Sequence, residues 1–407
     1  MRSILKSCGA LAPACAHALV RTFSHALPLA LPLALVLTLV LTLTLALCAC
    51  GSAHAGYDAA KARRIVTELG AKTAASPDVP GMSIAVLQKG GDDPVAVAFG
   101  TACIENATPM NTQSRFKIGS VTKVFTGALI HRFIEDGKLA YDTPIDRFFP
   151  GFPDGGTITV RHLLEHTSGI VDMLGLAEVR ANPVRNWPPA ELVALVEKQP
   201  LAFRPGARQA YSNTGFLMLA VICERISGRT YDDLVGEMFT RGLGMASLVP
   251  GNDTAIVPHL SCGYASGGES GALQLPMMAS LAVAKGTGNL EATPSDVVRL
   301  VNLDRVLQDD VLDTVPLAPL KLPDGQVALV ASKTGRYSLG ELDGCTLFLF
   351  DTPKIALVGK LGSFPGFGTV YFYDRQTKIA VAISVNNERA ISRAITLGAD
   401  ILSALRN

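Results

Sequence analysis

Three serines in this 407-residue chain stand three positions before a lysine: Ser3, Ser114 and Ser120. A serine hydroxyl is a weak nucleophile that needs a base, and a lysine serves as one only when burial disfavours its charged form. The pair therefore needs a helix, which makes residues three apart neighbours at about 5–6 Å between Cβ atoms. Ser3 precedes a long apolar run near the amino terminus, and Ser114 precedes Lys117 in a strand-like stretch where positions three apart face opposite sides. Ser120, in "FKIGSVTK", opens an apolar helix. Val121, Val124, Phe125, Ala128 and Leu129 recur at helical spacing toward Ile134, and Gly137 ends it. Unpaired N–H groups and a partial positive charge at that helix start favour an anion developing there. The bland alternative makes Ser120 a cap and Lys123 a solvated surface residue, and Ser-x-x-Lys alone does not choose.

Two further stretches hold chemistry. Tyr211-Ser212-Asn213 follows the Pro205-Gly206 turn and precedes the apolar helix "GFLMLAVICERI". In extended backbone the phenol and the amide point the same way, and a tyrosine can relay a proton. The alternative is a tyrosine packed on the core and an asparagine capping the helix. "HLLEH", His162 to His166, reads as His-x-x-Glu-His, an inverted zinc-protease pattern with both histidines on one helical face. No third ligand stands in a recognisable context, so the metal reading ranks below the serine reading.

The elements that must position these groups follow from patterning. Asp58 to Lys72 has helical spacing, "SPDVPG" breaks it, and strand-like "MSIAVLQ" and "PVAVAFG" flank the hairpin residues "KGGDD". From about 138 to 310 the chain reads as helices and loops, including a capped helix start at Thr293-Pro294-Ser295-Asp296. Strands return as "QVALVAS", "CTLFLF", "KIALVGK", "TVYFY" and "KIAVAISV", and an amphipathic helix from Glu388 closes the chain. This order predicts an α+β fold: one antiparallel sheet built from both chain ends and flanked by helices, with an all-helical lobe inserted. The expected division is a leader at 1–55 and a domain at 56–407, its α/β part about 56–135 and 311–407 and its lobe about 136–310. A cleft at the lobe boundary is a natural ligand site.

With 48% hydrophobic and 17% charged residues the chain is globular rather than disordered. No charge occurs between Arg21 and Asp58, and a leucine stands at every odd position from 27 to 47. As a helix, residues 26–47 would reach about 33 Å, enough to cross a bilayer core. Basic residues before the run and small ones after it have the order of a secretory leader. Ala53-His54-Ala55 fits a cleavage site, Leu47-Cys48-Ala49-Cys50 resembles a lipobox that would lipidate Cys50, and an uncleaved anchor is the third option. All three place the domain outside the cytoplasm, in the periplasm or cell envelope. Removing residues 1–55 takes away three basic and no acidic residues, leaving 33 against 35, which gives no electrostatic case for nucleic acid. Cys103, Cys223, Cys262 and Cys345 are scattered singly, without zinc or redox spacing. A domain of this size does not need disulfides, so buried free thiols are expected and no pairing is assigned.

Together the motifs resemble the serine β-lactamase and penicillin-binding DD-peptidase superfamily, on its class C side: Ser-x-x-Lys, Tyr-x-Asn, then Lys-x-Gly on a late strand. "TVRHLLEHTSGI", "FRPG", "RGLGM" and "FPGFGTVYFYDRQTKIAVAISVNN" extend the similarity over roughly residues 80–400. Lys-x-Gly occurs at Lys89, Lys117, Lys333 and Lys360. The resemblance selects Lys360-Leu361-Gly362, because "SFPGF" and paired strands follow it as in class C relatives; Lys333-Thr334-Gly335 is the runner-up. The resemblance implies an acyl-enzyme hydrolase without cofactor or metal. Ser120 is then the nucleophile, Lys123 and Tyr211 carry its proton, and Asn213 and Lys360 face the substrate. The Ser120 and Ser363 amides form the oxyanion hole, with Gly362 between motif and donor. D-Ala-D-Ala-type peptides, esters and β-lactams are the implied substrates, within a peptidoglycan-like cell-envelope setting. Leu361 replaces the usual threonine and Lys117 the usual glutamate, which argues against efficient β-lactam hydrolysis. A non-catalytic penicillin-binding envelope sensor on the same scaffold is the alternative from another class.

Overall fold

The computed structural model describes residues 57–267, 272–314, 329–330, 339–341, 347–351 and 355–407. The leader with Cys50, and also Lys333 and Cys345, lie outside the described residues. Strands β1 (Gly81–Gln88), β2 (Val95–Cys103) and β3 (Thr108–Pro109) come from the first part of the domain. Six more come from the last: β4 (Leu329–Val330), β5 (Leu339–Glu341), β6 (Phe348–Asp351), β7 (Ala356–Phe364), β8 (Phe367–Asp374) and β9 (Ile379–Val385). They form one antiparallel sheet in the order β3-β2-β1-β9-β8-β7-β6-β5-β4. At its centre the two chain ends meet, with Met82 opposite Val385 and Gln88 opposite Ile379. β1, β8 and β9 are buried along nearly their whole length, and so they read as continuous apolar runs rather than alternating ones.

Six helices build or support the site: α1 (Ala59–Ala74), α2 (Thr122–Glu135), α3 (Val160–Leu164), α4 (Pro189–Glu197), α5 (Asn213–Ser227) and α6 (Ile391–Arg406). The Asp58 carboxylate caps α1 by accepting from the Ala60 and Lys61 amides. α1 packs on α6 and β2, and α6 on β8 and β9. α2 is different, because every residue from Thr122 to Ile130 is buried. Helices apolar all round are core helices, and α2 packs against α5 in the interior. Gly228, in the left-handed region at φ 69°, ends α5.

Two findings refine the sequence reading. The middle section carries, besides its helices, strands of two or three residues: Val249–Pro250 pairs with Leu290–Ala292, whose other side takes Phe116–Lys117 from the first part of the domain, and Ala265–Gly267 pairs with Ala272–Gln274. Segments that short cannot show a two-residue period. Cys103, at the end of β2, is bonded to Cys262, which corrects the expectation of free thiols; the pairing depends on the 259–267 segment returning to the sheet edge, where the Cys262 amide donates to Ala102. Cys223 is free and buried, as expected. Among the described residues no helix is long and apolar enough to cross a membrane.

Candidate active site

The turn that carries Ser120 is made by two backbones pressed together. Phe116–Lys117 pairs with Leu290–Ala292, and the Ile118 amide donates to the Leu290 carbonyl at 3.0 Å. Gly119 then takes φ 52°, the left-handed region that favours glycine, and starts a 3-10 turn, Gly119–Val121, that runs into α2. A Cβ on Gly119 would lie 2.6 Å from the Ser363 nitrogen, and one on Gly362 would lie 1.9 Å from the Ile118 oxygen. β7 therefore meets the turn with no side chain between them, which sets the Ser363 amide beside the Ser120 segment. Ser120 and Ser363 line the same cavity.

Ser120 Oγ accepts a hydrogen bond from the Tyr211 hydroxyl at 2.8 Å and lies 3.3 Å from Lys123 Nζ. Lys123 is wholly buried, its Nζ 2.8 Å from Asn213 Oδ1 and 2.9 Å from the Thr287 carbonyl. Burial first, and then the positive charge of Lys360, hold its pKa well below the ordinary 10.5; the charge of Asp172 acts in the opposite direction. The two carbonyl oxygens can only accept. A neutral amine satisfies them with its two protons and turns its lone pair to the Ser120 hydroxyl, which is the arrangement a general base needs.

Tyr211 and Asn213 enter from the start of α5, on either side of Ser212. Lys360 enters from β7, opposite Tyr371. It is buried, with Nζ 5.8 Å from the centre of the Tyr211 ring. The structure thus gathers Ser120, Lys123, Tyr211, Asn213, Lys360, Gly362 and Ser363 from three separate stretches of chain. Ser114 stands apart, accepting from the Asn111 amide in a turn.

Two supporting residues escape sequence reasoning. Asp172 Oδ2 accepts from Asn213 Nδ2 at 2.9 Å, which fixes the amide so that its oxygen faces Lys123. His166 grips the tyrosine stretch: its ring lies 4.4 Å from that of Tyr211, its carbonyl accepts from Ala210, and its Nδ1 accepts from the Ser212 amide at 3.2 Å. A backbone amide can only donate, so that nitrogen carries no proton. Burial, reinforced by Lys360 and Lys123, holds the His166 pKa well below 6.5. Asp172 is 41 residues from Asn213, a separation that leaves no local signal.

His166 also bears on the zinc pattern. α3 ends at Leu164, and His166 has φ 56°, so the two histidines do not share a helical face. His162 instead caps α3, its Nδ1 3.1 Å from the Thr159 amide. Among the described residues, neither belongs to a group of three or more close metal-ligating side chains.

Ser120 opens onto a cavity of about 430 Å³. Its walls include Leu174, Val179, Trp187, Val283 and Phe364, and among the described residues Arg180 is the only charged side chain that lines it. A hydroxyl activated on two sides, an adjacent pair of backbone amides and an apolar pocket make an arrangement able to take up an acyl group.

Comparison with known proteins agrees with this geometry. The Beta-lactamase family model matches residues 62–406. Penicillin-binding protein 4* of Bacillus subtilis is 30% identical over 72% of this chain and 65% of its own length, so the chain spans about two thirds of that relative. The D-alanyl-D-alanine-carboxypeptidase/endopeptidase AmpH of Escherichia coli is 30% identical over 54% of this chain and 56% of its own. Among solved structures, the D-amino acid amidase from Ochrobactrum anthropi SV3 superposes with a TM-score of 0.69 at 24% identity, covering 85% of this chain and 98% of the amidase, a likeness of fold. With the family model covering nearly all of the described domain, the chain belongs to the Beta-lactamase family, whose members include carboxypeptidases and esterases that work as serine hydrolases.

Proposed function

We propose that this protein is an extracytoplasmic serine hydrolase that works through an acyl-enzyme on Ser120. The observation that carries the reading is the double contact on Ser120 Oγ, from a phenol at 2.8 Å and from a buried amine at 3.3 Å. Ser120 attacks the substrate carbonyl carbon as its proton passes to Lys123. Negative charge develops on the carbonyl oxygen, which the Ser120 and Ser363 amides receive. Collapse of the intermediate expels the leaving group, which takes a proton from Tyr211 as the proton held by Lys123 passes back to the phenol, so that both groups regain their starting states. Water then repeats the sequence on the ester and frees the acid. Lys360 keeps the proton off Lys123 by charge repulsion, and Asn213, oriented by Asp172, holds the amine in line.

Substrates are D-Ala-D-Ala-type peptides, esters or β-lactams. The names of the relatives, a penicillin-binding protein, a D-alanyl-D-alanine-carboxypeptidase/endopeptidase and a D-amino acid amidase, support a carbonyl next to a D-residue. The pocket supports an apolar group larger than a methyl on one side of the scissile bond. Export is supported by the pattern of the leader and by the Cys103–Cys262 disulfide, a bond that persists in oxidising compartments; anchoring through Cys50 is part of this proposal.

The test is intact-mass analysis after exposure to a penicillin, a short apolar ester and a D-Ala-D-Ala peptide, alongside Ser120→Ala. A transient adduct on the parent and none on the variant is expected. An adduct that persists on the alanine variant refutes the nucleophile, and a permanent penicillin adduct without turnover of any substrate identifies a sensor instead.

A further inference from the structure

The far end of α2 carries a second group of chemistry-bearing side chains. His131 and Glu135 stand one turn apart on α2, and Asp309 reaches them from the segment that follows the 3-10 turns of Val298–Arg305. One ligand atom from each lies within 4.8 Å of the other two. His131 Nε2 is 3.5 Å from Glu135 Oε1 and 3.7 Å from Asp309 Oδ2. Ligands held at about 2.0–2.1 Å in a tetrahedral zinc site are about 3.3–3.4 Å from one another. The two separations from His131 Nε2 therefore stand within a few tenths of an ångström of that spacing, and the two carboxylate oxygens lie within 4.8 Å of each other.

The surroundings fit a ligand set better than a simple ion pair. His131 Nε2 is buried and makes no hydrogen bond among the described residues. Its other nitrogen, Nδ1, is 2.8 Å from the Tyr141 hydroxyl, which fixes the ring, and metal-binding histidines are held in this way through the nitrogen that does not bind. The Glu135 carboxylate accepts from the Gln308 and Asp309 amides at 2.9–3.0 Å, which immobilises it and leaves lone pairs for a cation. A histidine and a carboxylate four apart on a helix share one face.

We propose that His131, Glu135 and Asp309 bind one divalent zinc-class ion, with water completing its coordination. The imidazole and the partly buried setting select zinc over magnesium and calcium, which take all-oxygen sets. Binding uses the Nε2 lone pair; Nδ1 keeps its proton and donates it to the Tyr141 oxygen, and any proton on Nε2 is released to solvent. The ion pins the end of α2 to the 308–309 segment, eight residues past Lys123 and about 12 Å along the helix. Its role is structural, and it stands independently of the hydrolase reading.

Chelator-stripped protein is titrated with zinc chloride by calorimetry and with cobalt(II) chloride by electronic absorption. Expected are one saturable equivalent, a cobalt d–d band without thiolate charge transfer, and a higher Tm with zinc. His131→Ala abolishes the step, and Tyr141→Phe weakens it about tenfold. Asp309 is 71% exposed, so Asp309→Ala leaves the fold intact, and it weakens binding by at least about tenfold. No uptake by the parent, uptake with thiolate charge transfer, or uptake unchanged in both His131→Ala and Asp309→Ala overturns the site.

Discussion

Lys123 gives the sharpest test at the scale of single residues. Its folded-state pKa is depressed, so between that value and 10.5 the unfolded chain binds a proton that the folded one excludes. Stability from this group therefore rises with pH across that window and is lost as pH falls. Lys123→Met removes this contribution, and the pH dependence of Tm should flatten relative to the parent; parallel profiles would mean an ordinary surface-like lysine. Acylation in the same variant should drop by about 10²–10⁴, the usual worth of a general base. His166 makes a second prediction. His166→Ala removes the ring against Tyr211 and the acceptor for the Ser212 amide at a left-handed position, a loss of about 1–3 kcal/mol in chemical denaturation. His166→Asn keeps an acceptor and tolerates the backbone, and should recover most of that stability. Local spacing made Ser120 and Lys123 helical neighbours and the family resemblance joined Tyr211 to them, and the structure brings the three side chains together. Asp172 and His166 were not legible in the sequence, because their roles are set by contacts with α5 from the loop after α3, which no spacing records.

The decisive element is β7 where it abuts the Ser120 turn. Gly362→Ala would drive a methyl into the Ile118 carbonyl, pushing the Ser363 amide away from Ser120. Acylation should fall by about 10²–10³, the worth of one oxyanion donor, with stopped-flow acylation as the measurement; an unimpaired rate would remove Ser363 from the mechanism. On the pocket side, Trp187→Ala enlarges the apolar wall. It should raise KM for bulky apolar esters by about 10–200-fold, the range for lost apolar pocket contacts, and leave acetyl esters nearly untouched. The longer elements were readable: the helix foreseen at Asp58–Lys72 is Ala59–Ala74, and "KIAVAISV" became Ile379–Val385. The Thr293-Pro294 start was correct too, but its helix is α-type only to Val297 before tightening into 3-10 turns, with a kink at Asn302, whose side chain bonds Gly90 and Gly91. That kink answers to the β1–β2 hairpin, a partner two hundred residues away that local propensity cannot see.

For the molecule as a whole, the Cys103–Cys262 bond is the main cross-link, joining residues 159 apart. Reduction, or Cys103→Ser with Cys262→Ser, should lower unfolding free energy by about 2–5 kcal/mol, seen as a lower Tm under reducing conditions; an unchanged Tm would make the bond incidental. The meeting of both chain ends in one sheet was readable from the order of helices and strands. The course of 259–267 back to the edge of β2 was not, because it is held by backbone bonds such as Tyr264 to Asn386 rather than by pattern. The join of β1 to β9 also governs the order of events at birth. β1 can pair with β2 early, but its other edge meets residues 379–385 only once they have left the ribosome, and pairings so distant in sequence close slowly. Until that last strand is made, the sheet stays open along the edge of β1, and its closure is the step that joins the early and late parts of the domain.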